Sequence, residues 1–193
     1  TGAAHSAARG DTDTRSVRTP SSVMPFGGRR PAPGLLRAGV VVAIGADGSA
    51  PDRGSDMFRH MSQCMHYQRR HFRDAGVLPH GKVLEMVTID AARALSMEHE
   101  IGSLEVGKKA DIILVDLFKP HLMPLNMPVY RVTCFANAAD VSTTTVHGRI
   151  LMRDHQLLPH TQDEMPEAAH EARQMSRRRG RLVYGGGGGH VDG

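Results

Sequence analysis

Twelve histidines stand out first among the residues of this 193-residue chain that could do chemistry. Imidazoles in such number invite a metal-binding or proton-transfer role, and spacing decides whether any of them can share one ion. A chelating pair on a helix needs i, i+4 spacing, as in H-x-x-x-H. The chain has neither that pattern nor H-x-H. His60, His66 and His71 follow one another at intervals of 6 and 5 residues. His60 and His71 would share a helical face, but about 16 Å apart along the axis, too far to hold one metal. These three are expected as solvated or pocket-rim side chains. His99, His147, His155, His160 and His170 lie in polar or turn contexts and take the same reading.

Asp47 is the sharper candidate. It follows the apolar run Gly39-Val40-Val41-Val42-Ala43-Ile44-Gly45, which reads as a strand buried on both faces, as in a parallel sheet. A carboxylate just past the C-terminal end of such a strand sits where α/β folds place their chemistry. An ordinary Asp-Gly turn remains an open reading of the same residues. Cys64 and Cys134 are too few for a disulfide framework or a four-cysteine zinc site, and simple burial is expected for both. Ser22 and Ser49 have no G-x-S-x-G context and no nameable base, which excludes a serine nucleophile. Met123 and Met127, between Pro120 and Pro128, read as part of a packed loop.

The elements that would position Asp47 follow from periodicity. A helix is predicted from Ser55 to Phe72, with Met57, Phe58, Met61, Cys64, Met65 and Phe72 on its apolar face and Asp52 or Ser55 as cap. A second helix is predicted from Lys82 to Leu95, with Val83, Leu84, Val87, Ala91, Ala94 and Leu95 inward. The pattern then turns to β structure. Ile101 to Lys108 is turn-rich, and Ala110 to Leu117 is a strand. Asp140 to Thr145 and Arg149 to Met152 form a hairpin through His147-Gly148. Asp163 to Arg177 reads as a helix with Pro166 in its first turn. Prolines and paired glycines make residues 17–34 a loop, and no internal repeat is visible.

In this order and spacing the segments resemble the metal-dependent amidohydrolases, in the branch of aminohydrolases and chlorohydrolases that act on adenosine-type, guanine-type and triazine rings. The stretch LLRAGVVVAIGADGSA, from Leu35 to Ala50, resembles the last barrel strand of that family, and Asp56-Met57-Phe58 its following helix. Leu84 to Leu95 and Ile101 to Asp116 (IGSLEVGKKADIILVD) are similar to the family's downstream segments, as is Asp140 to Met152. The resemblance covers residues 17–158. It implies an α/β fold: the last strand-helix part of a (β/α)8 TIM barrel plus the C-terminal part of a small β-sandwich. The implied organisation is a disordered head at 1–16, barrel at 17–98, a composite sandwich segment at 99–160, and a helix with an Arg/Gly-rich tail at 161–193.

For the site, the resemblance implies that Asp47 is both a metal ligand and the catalytic proton acceptor, taking a proton from metal-bound water as that water attacks a ring carbon. A metal that lowers the water's pKa towards ~7 makes such a transfer feasible. The implied cofactor is a divalent metal, zinc first and iron second, and the implied partner is a small heterocyclic substrate. The reaction is deamination or dechlorination of a purine- or triazine-like ring. The family's other ligands, an H-x-H and single histidines after earlier strands, have no counterpart here. Arg18 stands where the family has a histidine, and Ser22 where it has an asparagine. A barrel of this kind takes about 250 residues, so the expectation is a C-terminal portion of the enzyme, completed by its missing N-terminal half or assembled as a homo-oligomer. The alternative reading is an inactive fold fragment that packs on a partner chain.

Composition narrows the rest. Lys and Arg number 24 against 20 Asp and Glu, a net charge of +4, and 40% of residues are hydrophobic, which suits a globular chain with a core. No apolar run reaches the ~18 residues of a membrane span. Aromatics are only 4% with no Trp, so stacking platforms for single-stranded nucleic acid are scarce. The Arg177-to-Arg181 cluster is read as a solvated tail, and no nucleic-acid partner is expected. With no signal pattern at the start and only two cysteines, the expected location is cytoplasmic.

Overall fold

The structure, a computed structural model, describes residues 15–20, 32–47 and 54–158. The fold starts with a parallel strand pair. Strand β1 (Arg15–Arg18) runs beside β2 (Val41–Ile44) in the register Arg15↔Val41 to Arg18↔Ile44. Helix α1 (Ala32–Arg37) precedes β2 and packs on it. Ser16, Arg18, Val42 and Ile44 are buried on one face of the pair, while Val17, between them, is 52% exposed. The sequence reading began its loop at residue 17 and ended its disordered head at residue 16. The structure instead places Arg15 to Arg18 in a strand and starts a helix at Ala32. A four-residue strand of sequence RSVR carries too little apolar pattern to be seen without its partner.

Helix α2 (Met57–Phe72) covers this pair. Its cap is Asp56, not Asp52 or Ser55: Asp56 Oδ1 accepts the backbone N–H groups of Phe58 (2.9 Å) and Arg59 (3.4 Å). Arg69, Arg70 and His71 in the last turn suit the negative end of the helix dipole. Phe58, Met61, Cys64 and Met65 are buried as predicted, but Phe72 is exposed and His60 takes a core position instead.

The predicted helix from Lys82 to Leu95 is two helices, α3 (His80–Val87) and α4 (Ile89–Ala94). They meet at Thr88 (φ −120°, ψ −99°), whose hydroxyl donates to the Leu84 carbonyl at 2.8 Å. The break rotates the apolar phase. Val83, Met86 and Ala92 are buried, whereas Leu95, predicted inward, is exposed. Asp90 is buried across the break, with Lys82 Nζ at 2.6 Å and Arg93 at 2.9 Å. Ile101 to Lys108 forms turns and no strand. Gly102 (φ +93°) presses on α4 so closely that a Cβ would lie 2.7 Å from the Ala92 Cβ. Only glycine fits both that conformation and that gap.

An antiparallel sheet follows, in the order β3 (Ile112–Val115), β4 (Val141–Val146), β5 (Arg149–Arg153), β6 (Gln156–Leu157). The predicted hairpin is present: His147 (φ +51°) and Gly148 (φ +77°) make the tight turn between β4 and β5. Between β3 and β4 lies helix α5 (Pro128–Cys134), which packs on α2 and α3. One apolar cluster joins Leu35, Val42, Ile44, Met61, Met65, Val83, Met86 and Val141, so the two sheets share a core through the helices. The predicted helix from Asp163 to Arg177 lies outside the described residues.

Candidate functional site

Asp47 sits where the sequence put it, at the C-terminal end of the parallel pair. Parallel pairing extends one residue past β2, because the Gly45 N–H donates to the Arg18 carbonyl at 2.6 Å. A side chain at residue 45 would place its Cβ 2.9 Å from Val17 Cγ1, so the glycine is a close-approach residue. Two residues on, Asp47 is exposed and lies in the left-handed region at φ 68°. An L-residue pays on the order of 1–2 kcal/mol for that conformation, with Asp among the types that tolerate it best. Asp47 thus stands exposed just past the strand end.

Among the described residues, no three His, Cys, Asp or Glu side chains converge on a point that could hold a metal ion. Asp47 fits as one hard oxygen donor, but catalytic zinc sites take three protein ligands, so these residues do not complete one. Among the described residues, none of the predicted-solvated histidines joins Asp47 in a set of three or more that could hold a metal. His66, His99, His147 and His155 are exposed as expected. His71 is exposed too, edge-on to the Phe72 ring. His60 corrects the reading: it is completely buried on the inner face of α2. His160 and His170 lie outside the described residues.

One turn on from His60, Cys64 is buried against the Arg18 side of the strand pair. Burial pushes the Cys64 thiol up to about 11, with the Arg18 charge opposing that rise. Arg18, at the position where the resemblance sets a histidine, is buried at the end of β1. Met123 and Met127, read as packed, are exposed.

Two histidines that spacing did not single out have the most defined surroundings. His121 Nε2 lies 3.0 Å from the buried Asp140 carboxylate, which also accepts the Asn137 backbone N–H at 2.9 Å. His80, at the start of α3, lies between α2 and α5. Its Nδ1 is 3.0 Å from Thr133 Oγ1 and 3.6 Å from Cys134 Sγ, its Nε2 is 3.5 Å from an Arg69 nitrogen, and Tyr130 packs edge-on to its ring. Cys134, expected to be simply buried, is half-buried and in contact with this imidazole. Thr133 and Cys134 lie 53 and 54 residues from His80, and Asp140 lies 19 from His121, separations that local spacing does not reveal.

Against known proteins, the amidohydrolase family model matches residues 21–151. The chain is 39% identical over 159 residues to a 5-methylthioadenosine/S-adenosylhomocysteine deaminase of Syntrophobacter fumaroxidans, covering 82% of this chain and 36% of that protein. It is 43% identical over 125 residues to the Moorella thermoacetica protein of the same name, covering 65% of this chain and 29% of that one. The chain therefore spans about a third of the length of these relatives. Among solved structures it is similar to an adenosine deaminase from Xanthomonas campestris with bound zinc, at a TM-score of 0.80 and 30% identity, covering 84% of this chain and 38% of that one. It also superimposes on a zinc-complexed atrazine chlorohydrolase from Arthrobacter aurescens, with a TM-score of 0.77 and 19% identity over 88% of this chain and 38% of that one.

Proposed function

Because the chain belongs to the amidohydrolase family, we propose that it is the C-terminal portion of a metal-dependent deaminase, one that hydrolyses the C–N bond of an exocyclic amine on a purine-like ring. In this reading β1 and β2 are neighbouring strands of a (β/α)8 barrel, and the antiparallel sheet is part of a small sandwich. The observation that carries the reading is Asp47 at the C-terminal end of β2, in a chain 39% identical to a deaminase of methylthioadenosine and adenosylhomocysteine. The structures of triazine hydrolases at 19% identity speak to the fold alone, so an amine leaving group is favoured over chloride.

Asp47 would accept a proton from the attacking water and return it to the departing nitrogen. The ring C–NH2 bond breaks, a ring carbonyl forms, and ammonia leaves. A divalent metal, zinc as in the neighbouring structures, supplies Lewis acidity that brings water's proton within reach of a carboxylate at neutral pH. Asp47 supplies one donor to it, and the remaining ligands come from outside the described residues.

The test is a graft. Residues 17–158 replace the matching segment of the Syntrophobacter deaminase, and ammonia release from 5′-methylthioadenosine, S-adenosylhomocysteine and adenosine is followed. The graft should be active, and Asp47→Asn should reduce kcat by at least 10²-fold, the scale of a lost acid–base group. A graft that folds and binds metal yet turns over equally well with Asn at this position would overturn the role of Asp47.

A further inference from the structure

We propose that His80 is an acid-sensitive latch: as a neutral imidazole it ties the α2–α3 corner together through Arg69, and its protonation releases that corner while the Nδ1–H bond to Thr133 on helix α5 remains. This goes beyond the hydrolase reading and does not depend on it.

The hydrogen bonds assign the tautomer. Thr133 Oγ1 has one proton and donates it to the Val129 carbonyl at 2.8 Å. At 3.0 Å from His80 Nδ1, it must therefore accept, so Nδ1 carries the proton. In a neutral ring Nε2 is then the acceptor, and it faces a donor, the Arg69 guanidinium, at 3.5 Å. The same guanidinium donates from Nε to the Val77 carbonyl (3.0 Å) and from a terminal nitrogen to the Leu78 carbonyl (3.2 Å). It thereby fixes the connection that enters α3, in which Leu78 is buried in the left-handed region at φ 53°. One imidazole thus joins three elements: α2 through Arg69, α5 through Thr133, and its own helix α3.

A second proton makes Nε2 a donor aimed at a donor and sets two cations 3.5 Å apart. The charged and titratable groups that face the ring are Arg69 and His66 from α2, and Tyr130 and Cys134 from α5. No carboxylate is among these contacts to stabilise an imidazolium. His80 also begins α3, where the helix dipole disfavours positive charge. Burial first, then Arg69 and His66, hold its pKa below the ordinary 6.5. The folded value is depressed, so the stabilisation is present above pH 6.5 and is lost as pH falls through the lower folded value.

The test uses the whole chain. The His80 ring is titrated by NMR, and hydrogen exchange of the Val77 and Val83 amides, bonded to the Asp74 and Pro79 carbonyls, and of residues 131–134 is compared at about pH 7.5 and about pH 5, corrected for intrinsic rates. The ring should titrate below 6.5. Exchange at Val77 and Val83 should rise about tenfold in acid in the wild type and in His66→Gln, but not in His80→Gln, while residues 131–134 stay protected. The proposal fails if His80 titrates at or above the ordinary value, if the acid-induced rise persists in His80→Gln, if acid leaves Val77 and Val83 protected, or if residues 131–134 open with them. Should His80→Gln not fold, the wild type alone decides: the exchange midpoint must coincide with the titration of His80 and not with that of His66 or His121.

Discussion

Gly45 and Val17 lie so close across the parallel pair that a methyl group on residue 45 would sit 2.9 Å from Val17 Cγ1, below any normal carbon–carbon contact. The same glycine gives its N–H to the Arg18 carbonyl. The position of Asp47, two residues later, is thus set by a gap that admits no side chain. Gly45→Ala should destabilise the chain by about 1–3 kcal/mol, the usual cost of overpacking. Val17→Ala in the same chain should recover part of the loss, because Val17 is the nearest obstacle. Urea unfolding of the two single variants and the double variant measures the coupling, and strictly additive losses would remove the close approach as the cause.

Asp47 holds a conformation (φ 68°) that glycine adopts without steric strain, which outweighs glycine's greater loss of backbone entropy. Asp47→Gly should therefore raise the unfolding midpoint, by the equivalent of about 1 kcal/mol. Asp47→Asn, which tolerates the same region about as well as Asp, should leave it nearly unchanged. Both variants should lower kcat of the grafted deaminase by at least about 10²-fold. Thermal unfolding alongside the ammonia assay would show stability and activity moving in opposite directions at one residue. A loss of stability in Asp47→Gly would mean that the carboxylate's own contacts outweigh the backbone strain.

Asp90 is 4% exposed and holds two cations across the break between α3 and α4. Burial alone would lower the Lys82 pKa, but hydrogen bonds and charge from Asp90 and Glu85 outweigh it and raise it above 10.5. A raised ammonium stabilises the fold below its unfolded value, and that contribution disappears as pH climbs through the folded one. Stability should therefore fall above pH 10.5, and Asp90→Asn should flatten most of that fall. Because Lys82 and Arg93 keep substantial contact with solvent, Asp90→Asn should cost about 1–3 kcal/mol near neutrality, less than a fully buried pair. Denaturant midpoints across the alkaline range, for wild type and variant, test both statements.

Cys64 and Cys134 should separate by reactivity. Both thiols are raised by burial, Cys64 to about 11. Cys64 is nearly inaccessible, while Cys134 is only half-buried beside His80. A disulfide exchange reagent at neutral pH should label Cys134 first and reach Cys64 only on unfolding. Mass spectrometry of the labelled peptides resolves the order, and prompt labelling of Cys64 in the native chain would contradict its burial.

Some of this molecule was legible without coordinates because its signals are local. The run from Val40 to Ile44 between glycines marks one buried strand, and the β-branched and apolar run from Ile112 to Val115 marks another strand. His147-Gly148 marks a two-residue turn, and Asp47 is tied to its strand by adjacency alone. Helix α2 was found because its apolar spacing repeats over 16 residues. Where the signal was short or shared, the reading failed. Strand β1 is four residues with Val17 alone apolar. The break at Thr88 interrupts a pattern that reads as one continuous helix, and Leu95 is exposed as a result.

The sequence by itself determined the class of protein and the place of its one candidate catalytic carboxylate. A strand-loop-carboxylate order and a hydrophobic period are properties of neighbouring residues, and local backbone preferences enforce them. Only the tertiary structure decided what lies against what. It buried His60 on α2 and Arg18 at the end of β1, closed Asp90 between Lys82 and Arg93, and joined Arg69, His80 and Thr133 across three helices. Packing free energy depends on surfaces brought together from distant parts of the chain, and a one-dimensional pattern does not encode which surfaces meet.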